Sequence, residues 1–252
     1  MALAMLEYGL ANQSPITVVT GEVGSGKTTL IRYLLGELGN ELAVGMITNT
    51  HKSLGGLLQW VAMAFDLEYR NKSNVELYDD FVKFLVAEYA RGKRTVLIVD
   101  EAQNMDPDAL EELRMFSNIN ADKDQVLQLV LVGQPELRTT LNRVELRQFS
   151  QRVASSYHLE PFSREEAQQY IEHRMLKAGG DPEIFEPGAR DVVWFHSRGI
   201  PRIINTLCEF ALVYGFAEEA RSISRNLMED VVRDRRSTGF GYSHENVARD
   251  EQ

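Results

Sequence analysis

The run Gly21-Glu22-Val23-Gly24-Ser25-Gly26-Lys27-Thr28 sets three glycines, a lysine and a hydroxyl at a spacing suited to phosphate. Glycines let backbone N–H groups approach phosphate oxygens, and a helix beginning there adds the positive end of its dipole. Lys27 supplies a point charge for the terminal phosphates of a nucleoside triphosphate, and the Thr28 hydroxyl is placed to coordinate Mg2+. A second set follows the apolar run Thr95–Val99, which ends in Asp100-Glu101. Carboxylates at the end of such a strand emerge at the carboxyl edge of a sheet, where ligands of open α/β folds bind. Asp100 is expected to hold Mg2+ through water and Glu101 to polarise an attacking water, which makes the chemistry hydrolysis. If the pair merely capped the next helix, Glu101→Gln would hydrolyse normally.

Three further side chains complete the set. Gln134 follows the apolar run Leu127–Gly133 and precedes Pro135, so it is expected at a strand tip beside the γ-phosphate. Arg152, in Gln151-Arg152-Val153, stands ahead of the last strand-like run, and Arg202 follows Gly199-Ile200-Pro201. A guanidinium brought to the γ-phosphate stabilises the transition state, and supplying it from a neighbouring subunit couples hydrolysis to assembly.

The elements that must position these residues follow from periodicity. Short apolar runs at Ile16–Thr20, Leu42–Thr48, Thr95–Val99, Leu127–Val132 and Ala154–Leu159 alternate with amphipathic runs at Thr28–Leu38, Leu54–Phe65, Val75–Ala90, Ala109–Ile119 and Glu136–Val144. That alternation predicts an α/β fold, a parallel sheet covered by helices. Beyond Glu160-Pro161-Phe162 the pattern is helical throughout. Ser163 with Glu166 forms a capping box opening a helix to Lys177, closed by Gly179-Gly180. Helices are also expected at Pro187–His196, Pro201–Ala217 and Arg225–Arg235. The expected organisation is therefore an α/β nucleotide-binding domain over 1–161, a small all-helical domain over 162–236, and a polar tail at 237–252 that a partner would have to order.

Composition narrows the class. At 252 residues the chain can bury a core without disulfides or metal. No window reaches the roughly 18 uncharged apolar residues of a membrane span. Met1–Leu10 carries Glu7 and lacks a basic leader and cleavage site, so no secretory signal is expected and the protein is read as cytoplasmic. Cys208 lies in an apolar helical pattern and reads as a small buried hydrophobe. The five histidines show no ligand spacing, so no structural metal is expected. Trp60, Phe65, Phe81, Phe84, Phe116 and Trp194 fall at helical spacing and read as core. A net charge of −10 disfavours wholesale wrapping by nucleic acid.

With these residues in place, the chain resembles the AAA+ ATPases, whose motifs run in this order from about Ile16 to Arg235. The resemblance implies ATP and Mg2+ as ligands. It makes Gly21 to Thr28, with Thr29 after it, Walker A; Asp100 and Glu101 Walker B; Gln134 sensor one; Arg152 the arginine finger, with Arg147 its rival; and Arg202 sensor two, on a helical lid. The stretches Thr20–Thr29, Val99–Asn104, Gly133-Gln134-Pro135-Glu136-Leu137 and Tyr157–Phe162 are similar to the ExeA-like branch. That branch includes general secretion pathway protein A and pilus or exopolysaccharide ATPases, and it is related to TniB and TnsC-type transposition ATPases. The expected function is that of a homo-oligomeric ATPase, with nucleotide at subunit interfaces, driving assembly of an envelope machine through a protein client. The alternative is an ATP-dependent DNA-binding regulator of transposition. Arg221, Arg225, Arg233, Arg235 and Arg236 could meet phosphates, but Glu218, Glu219, Glu229, Asp230 and Asp234 interleave with them, so DNA is not the favoured partner. A helicase would need a second RecA-like domain, for which the rest of the chain is too short.

Overall fold

A computed structural model describes residues 6, 9, 12, 14–37, 41–48, 55–121 and 124–237. The expectations for the polar tail beyond Ser237, for Leu38 and Leu54 as helix ends, and for most of Met1–Leu10 lie outside these residues. The chain divides into two compact units, Met1–Glu160 and Pro161–Gln252, each taken here by itself.

The first unit is built on five strands, β1 (Ile16–Gly21), β2 (Leu42–Ile47), β3 (Arg94–Val99), β4 (Leu127–Gly133) and β5 (Val153–Leu159). All pair in parallel, in the order β2-β3-β4-β1-β5. Alternate side chains of a strand leave opposite faces, and β1, β3 and β4 bury both. Ile16, Val18, Leu97, Val99, Leu129 and Leu131 enter one core, covered by α2 (Leu57–Ala64), α3 (Asn74–Ala90) and α4 (Pro107–Phe116). Val19, Val96, Ile98, Val130 and Val132 enter the other, where Ile31 and Leu34 of α1 (Lys27–Glu37) pack. Helices thus lie on both faces of a parallel sheet, as the alternation of runs predicts.

Helix ends follow local chemistry more closely than hydrophobic periodicity. Asp106 accepts from the Ala109 N–H at 2.8 Å and Pro107 occupies the first helical position, so α4 starts two residues before Ala109. The helix expected over Glu136–Val144 instead splits into α5 (Glu136–Leu141), a 3-10 turn at Val144–Leu146 and α6 (Arg147–Ser150). Leu137, Leu141, Leu146 and Phe149 are all buried. The five-residue step from Leu141 to Leu146 is out of phase with a 3.6-residue turn, so one continuous helix could not bury both.

The second unit is helical: α7 (Arg164–Lys177), α8 (Pro187–Ser197), α9 (Pro201–Ala217) and α10 (Arg225–Ser237), with a 3-10 turn at Pro182–Ile184. Its own core joins Ile171, Phe185, Val193, Leu207, Met228 and Val231. The buried Arg190 is fully engaged, donating to the carbonyls of Phe185 and Pro182 at 2.8 Å each and pairing with Glu172. Among the described residues no helix is long and apolar enough to cross a membrane.

Candidate functional site

In a parallel sheet all carboxyl ends lie along one edge, so the tips of β1, β3 and β4 emerge together. The strand order sets β4 between the other two, and three sequence-predicted groups therefore meet.

The β1 tip turns into α1 through a loop with Gly24 at φ 82° and Gly26 at φ 95°, left-handed conformations that glycine adopts without strain. The first N–H groups of α1 have no partner within the helix, and nothing lies within 4 Å of the place a Gly26 Cβ would occupy. The Ser25 hydroxyl is buried without a hydrogen-bond partner. Lys27 is 6% exposed, its Nζ donating to the carbonyls of Gly21 at 2.8 Å and Glu22 at 2.9 Å. Burial pushes its pKa below 10.5, opposed by the carboxylates of Glu101, Asp100, Glu22 and Glu136. A cationic lysine, unsatisfied N–H groups and an orphaned hydroxyl fit a polyphosphate. Glu22, Val23 and Thr29 are exposed on the same segment.

Thr28 bridges to the β3 tip, its Oγ1 donating to Asp100 Oδ2 at 2.7 Å. Asp100 is 5% exposed, receives the Glu101 N–H at Oδ1 (2.9 Å), and donates its own N–H to Ile47 of β2 at 2.8 Å. A hydroxyl and a carboxylate in contact are the hard oxygen donors that Mg2+ takes, usually keeping several waters and phosphate oxygens in its shell. Among the described residues no three His, Cys, Asp or Glu converge to hold a metal by themselves.

Glu101 follows in a left-handed conformation, φ 53° and ψ 36°, which costs a non-glycine residue about 1–2 kcal/mol and breaks the chain sharply from strand into the 3-10 turn Ala102–Asn104. Its Oε2 accepts from Gln103 Nε2 at 2.6 Å and from Gln134 Nε2 at 3.4 Å. Gln134 is thus placed at the β4 tip against the carboxylate. Gln103, to which the sequence reading gave no role, closes the network by accepting the Gln134 N–H at its Oε1, 3.0 Å away.

Arg152 stands apart from this network. Arg152, half-buried, precedes β5, whose Val153 pairs with Ile16. It therefore stands at the amino edge of the sheet, roughly 20 Å along the strands from Gly21 at about 3.3 Å per residue. Arg147 is exposed at the start of α6. Neither has an ion-pair partner among the described residues. Arg202 is exposed on the first turn of α9, in the helical unit, its carbonyl accepting the Thr206 hydroxyl at 2.9 Å. Cys208 is largely buried, and burial pushes its thiol up to about 12.

A family model described as an AAA domain matches residues 11–141. The chain belongs to that family, and its parallel sheet, phosphate-type loop and acidic strand tip are those of a P-loop AAA+ ATPase fold. Within it the chain is related to general secretion pathway protein A of Aeromonas hydrophila, with 40% identity over 223 residues, which are 88% of this chain and 41% of that protein. The chain thus spans less than half the length of this relative. Solved structures share the fold at low identity. ORC2 of Aeropyrum pernix superposes with a TM-score of 0.66 at 18% identity, covering 92% of this chain and 66% of that one. Cdc6p of Pyrobaculum aerophilum gives 0.71 at 15% (92% and 66%), and the Thermotoga maritima RuvB Holliday junction branch migration motor 0.57 at 20% (92% and 67%).

Proposed function

We propose that this chain binds ATP with Mg2+ and hydrolyses it at an interface between copies of itself. The observation that carries the reading is the single connected network in which Lys27 is buried at the phosphate-type loop, Thr28 touches Asp100, and Glu101 stands next in the chain. Gly21 to Thr29 cradle the phosphates, with Lys27 countering charge on the terminal groups. Thr28 and Asp100 would hold Mg2+, which would supply positive charge to the phosphate oxygens. Glu101 orients a water and accepts its proton as the water oxygen bonds to the γ-phosphorus. The bond to the bridging oxygen breaks, leaving ADP and phosphate. Gln134, at the β4 tip beside Glu101, would serve as the sensor of the γ-phosphate or the water.

The amino-edge position of Arg152 supports its action in trans, with Arg147 its rival, and the likeness to AAA+ ATPases assigns Arg202 of the helical unit the sensor-two role. The envelope role, in assembly of a secretion, pilus or exopolysaccharide machine through a protein client, draws support from the likeness to general secretion pathway protein A. Its place of action is the cytoplasm, where ATP is supplied. Against the transposition alternative stands the engagement of four of the five basic residues: Arg225 pairs with Glu229, Arg233 with Asp230, Arg235 covers the Phe210 ring, and Arg236 meets His196.

The test is ATP turnover of complementary variants. Glu101→Gln is expected to bind ATP yet turn over about 100-fold more slowly or worse. Lys27→Ala is expected to lose binding, and Arg152→Ala to lose turnover. Mixing Arg152→Ala with Glu101→Gln should restore activity, because some interfaces then combine an intact Glu101 with an intact Arg152. Wild-type turnover in Glu101→Gln overturns the hydrolytic assignment. Full activity in both Arg152→Ala and Arg147→Ala overturns the trans arrangement.

A further inference from the structure

Gln103 does more than end a turn. Its amide is fixed in direction by its two partners: Oε1 accepts the backbone N–H of Gln134, which leaves Nε2 as the end that faces Glu101. The side chain thereby spans from the β3 tip to the β4 tip. Room for it comes from Gly133, where any Cβ would stand 2.9 Å from Gln103 Oε1. The turn that carries it is pinned by buried Ala102 and Met105. Both hydrogen bonds that Glu101 receives from Gln103 and Gln134 fall on Oε2, so among the described residues Oε1 is the oxygen left to face a water.

We infer that Gln103 is the positioning residue for Glu101, orienting its carboxylate and coupling it to Gln134, so that Oε1 is presented to the attacking water in a fixed direction. This rests on the proposed role of Glu101 as the water-orienting base. Gln103 acts through the carboxylate it holds. A glutamine suits the task because it alone of the isosteric pair Gln and Glu offers an acceptor to the Gln134 N–H and a donor to a carboxylate at once.

Gln103→Glu keeps size and the acceptor for Gln134 but replaces the donor with a second carboxylate facing Glu101; Gln103→Ala removes both bonds. Turnover, KM for ATP, and affinity for a fluorescent ATP analogue are measured for both variants beside Glu101→Gln, with thermal melting of each. The expected result is a fall in kcat of about tenfold or more for Gln103→Glu, and a smaller one for Gln103→Ala. KM and nucleotide affinity should stay near wild type, and Gln103→Glu, which keeps the acceptor for Gln134, should melt close to wild type, whereas Gln103→Ala should melt a few degrees lower for its lost hydrogen bonds. Wild-type kcat in Gln103→Glu, alongside an inactive Glu101→Gln, overturns the inference while leaving the role of Glu101 intact. If Glu101→Gln is itself fully active, the underlying reading fails instead. Loss of nucleotide affinity or melting temperature in Gln103→Glu matching its loss of kcat overturns the inference in favour of a tie between strand tips.

Discussion

The loop before Arg202 offers a sharp test of how the helical unit is held. Gly199 has φ 72°, and a Cβ added there would lie 2.1 Å from the backbone oxygen of Phe162. That oxygen is fixed: it accepts the Trp194 indole N–H at 3.2 Å, and the Phe162 N–H donates to Gly199 O at 2.9 Å. In Gly199→Ala the left-handed backbone costs about 1–2 kcal/mol. Moving the contact from 2.1 Å to even 3.0 Å breaks both hydrogen bonds, at about 1 kcal/mol each. The sum is about 3–4 kcal/mol. Gly179 provides the control, since it has φ 77° and nothing within 4 Å of a Cβ, so Gly179→Ala should cost only the backbone term. Both substitutions stiffen the unfolded chain equally, and that contribution cancels in the difference of about 2 kcal/mol. The assay is urea unfolding followed by Trp194 fluorescence in a Trp60→Phe background, Trp60 and Trp194 being the two tryptophans of the sequence. Midpoints are compared at constant m-value. If the two alanine variants differ by less than about 0.5 kcal/mol, the Phe162 contact is not a constraint and the steric reasoning is wrong.

Two further outcomes follow from ionisation. Phosphate charge beside Lys27 favours its protonated form, so affinity for ATP should be complete below the free lysine pKa and decline as pH rises through it; because burial lowers that pKa, the decline should begin before 10.5. A fluorescent-nucleotide titration from about pH 7 to about pH 10 reads this, and an affinity as flat as that of Lys27→Arg would contradict it. Cys208, with its thiol pushed up to about 12, should resist iodoacetamide in the folded protein at about pH 8 and react once unfolded; mass spectrometry showing stoichiometric labelling of native protein within minutes would refute the burial.

Much of the site was legible because its residues are neighbours in the chain or end apolar strands. Lys27 and Thr28 sit in one loop, and Asp100 and Glu101 close a short β-branched apolar run of the kind a strand buried on both faces shows. Gln103 was not legible. Its hydrogen bond to Gln134 depends on β4 lying beside β3, and a glutamine on a short turn carries no local signal of a partner 31 residues on. The bond between Thr20 Oγ1 and His158 Nδ1, 2.9 Å across β1 and β5, is hidden for the same reason. Helix ends misread from periodicity, as at Ala109, were governed by caps such as Asp106-Pro107, whose signal is polar and lies outside the apolar repeat.

The sheet topology also sorts the predicted residues by what they can serve. Groups that follow a parallel strand share its carboxyl edge, so Thr28, Asp100 and Gln134 must converge once the order β3-β4-β1 is formed. A group that precedes a strand is held at the other edge. Arg152 precedes β5, which runs parallel to β1 with Val153 against Ile16 and Leu159 against Gly21, across one register shift between Ile16 and Thr17. The whole length of β1 therefore separates it from its own loop, farther than an arginine side chain extends, and no rotamer change closes that gap without dismantling the sheet. If the guanidinium meets a γ-phosphate at all, that phosphate is bound by another copy. Recovery of turnover in mixtures of Arg152→Ala and Glu101→Gln is accordingly the outcome that the strand order itself demands of the arginine assignment.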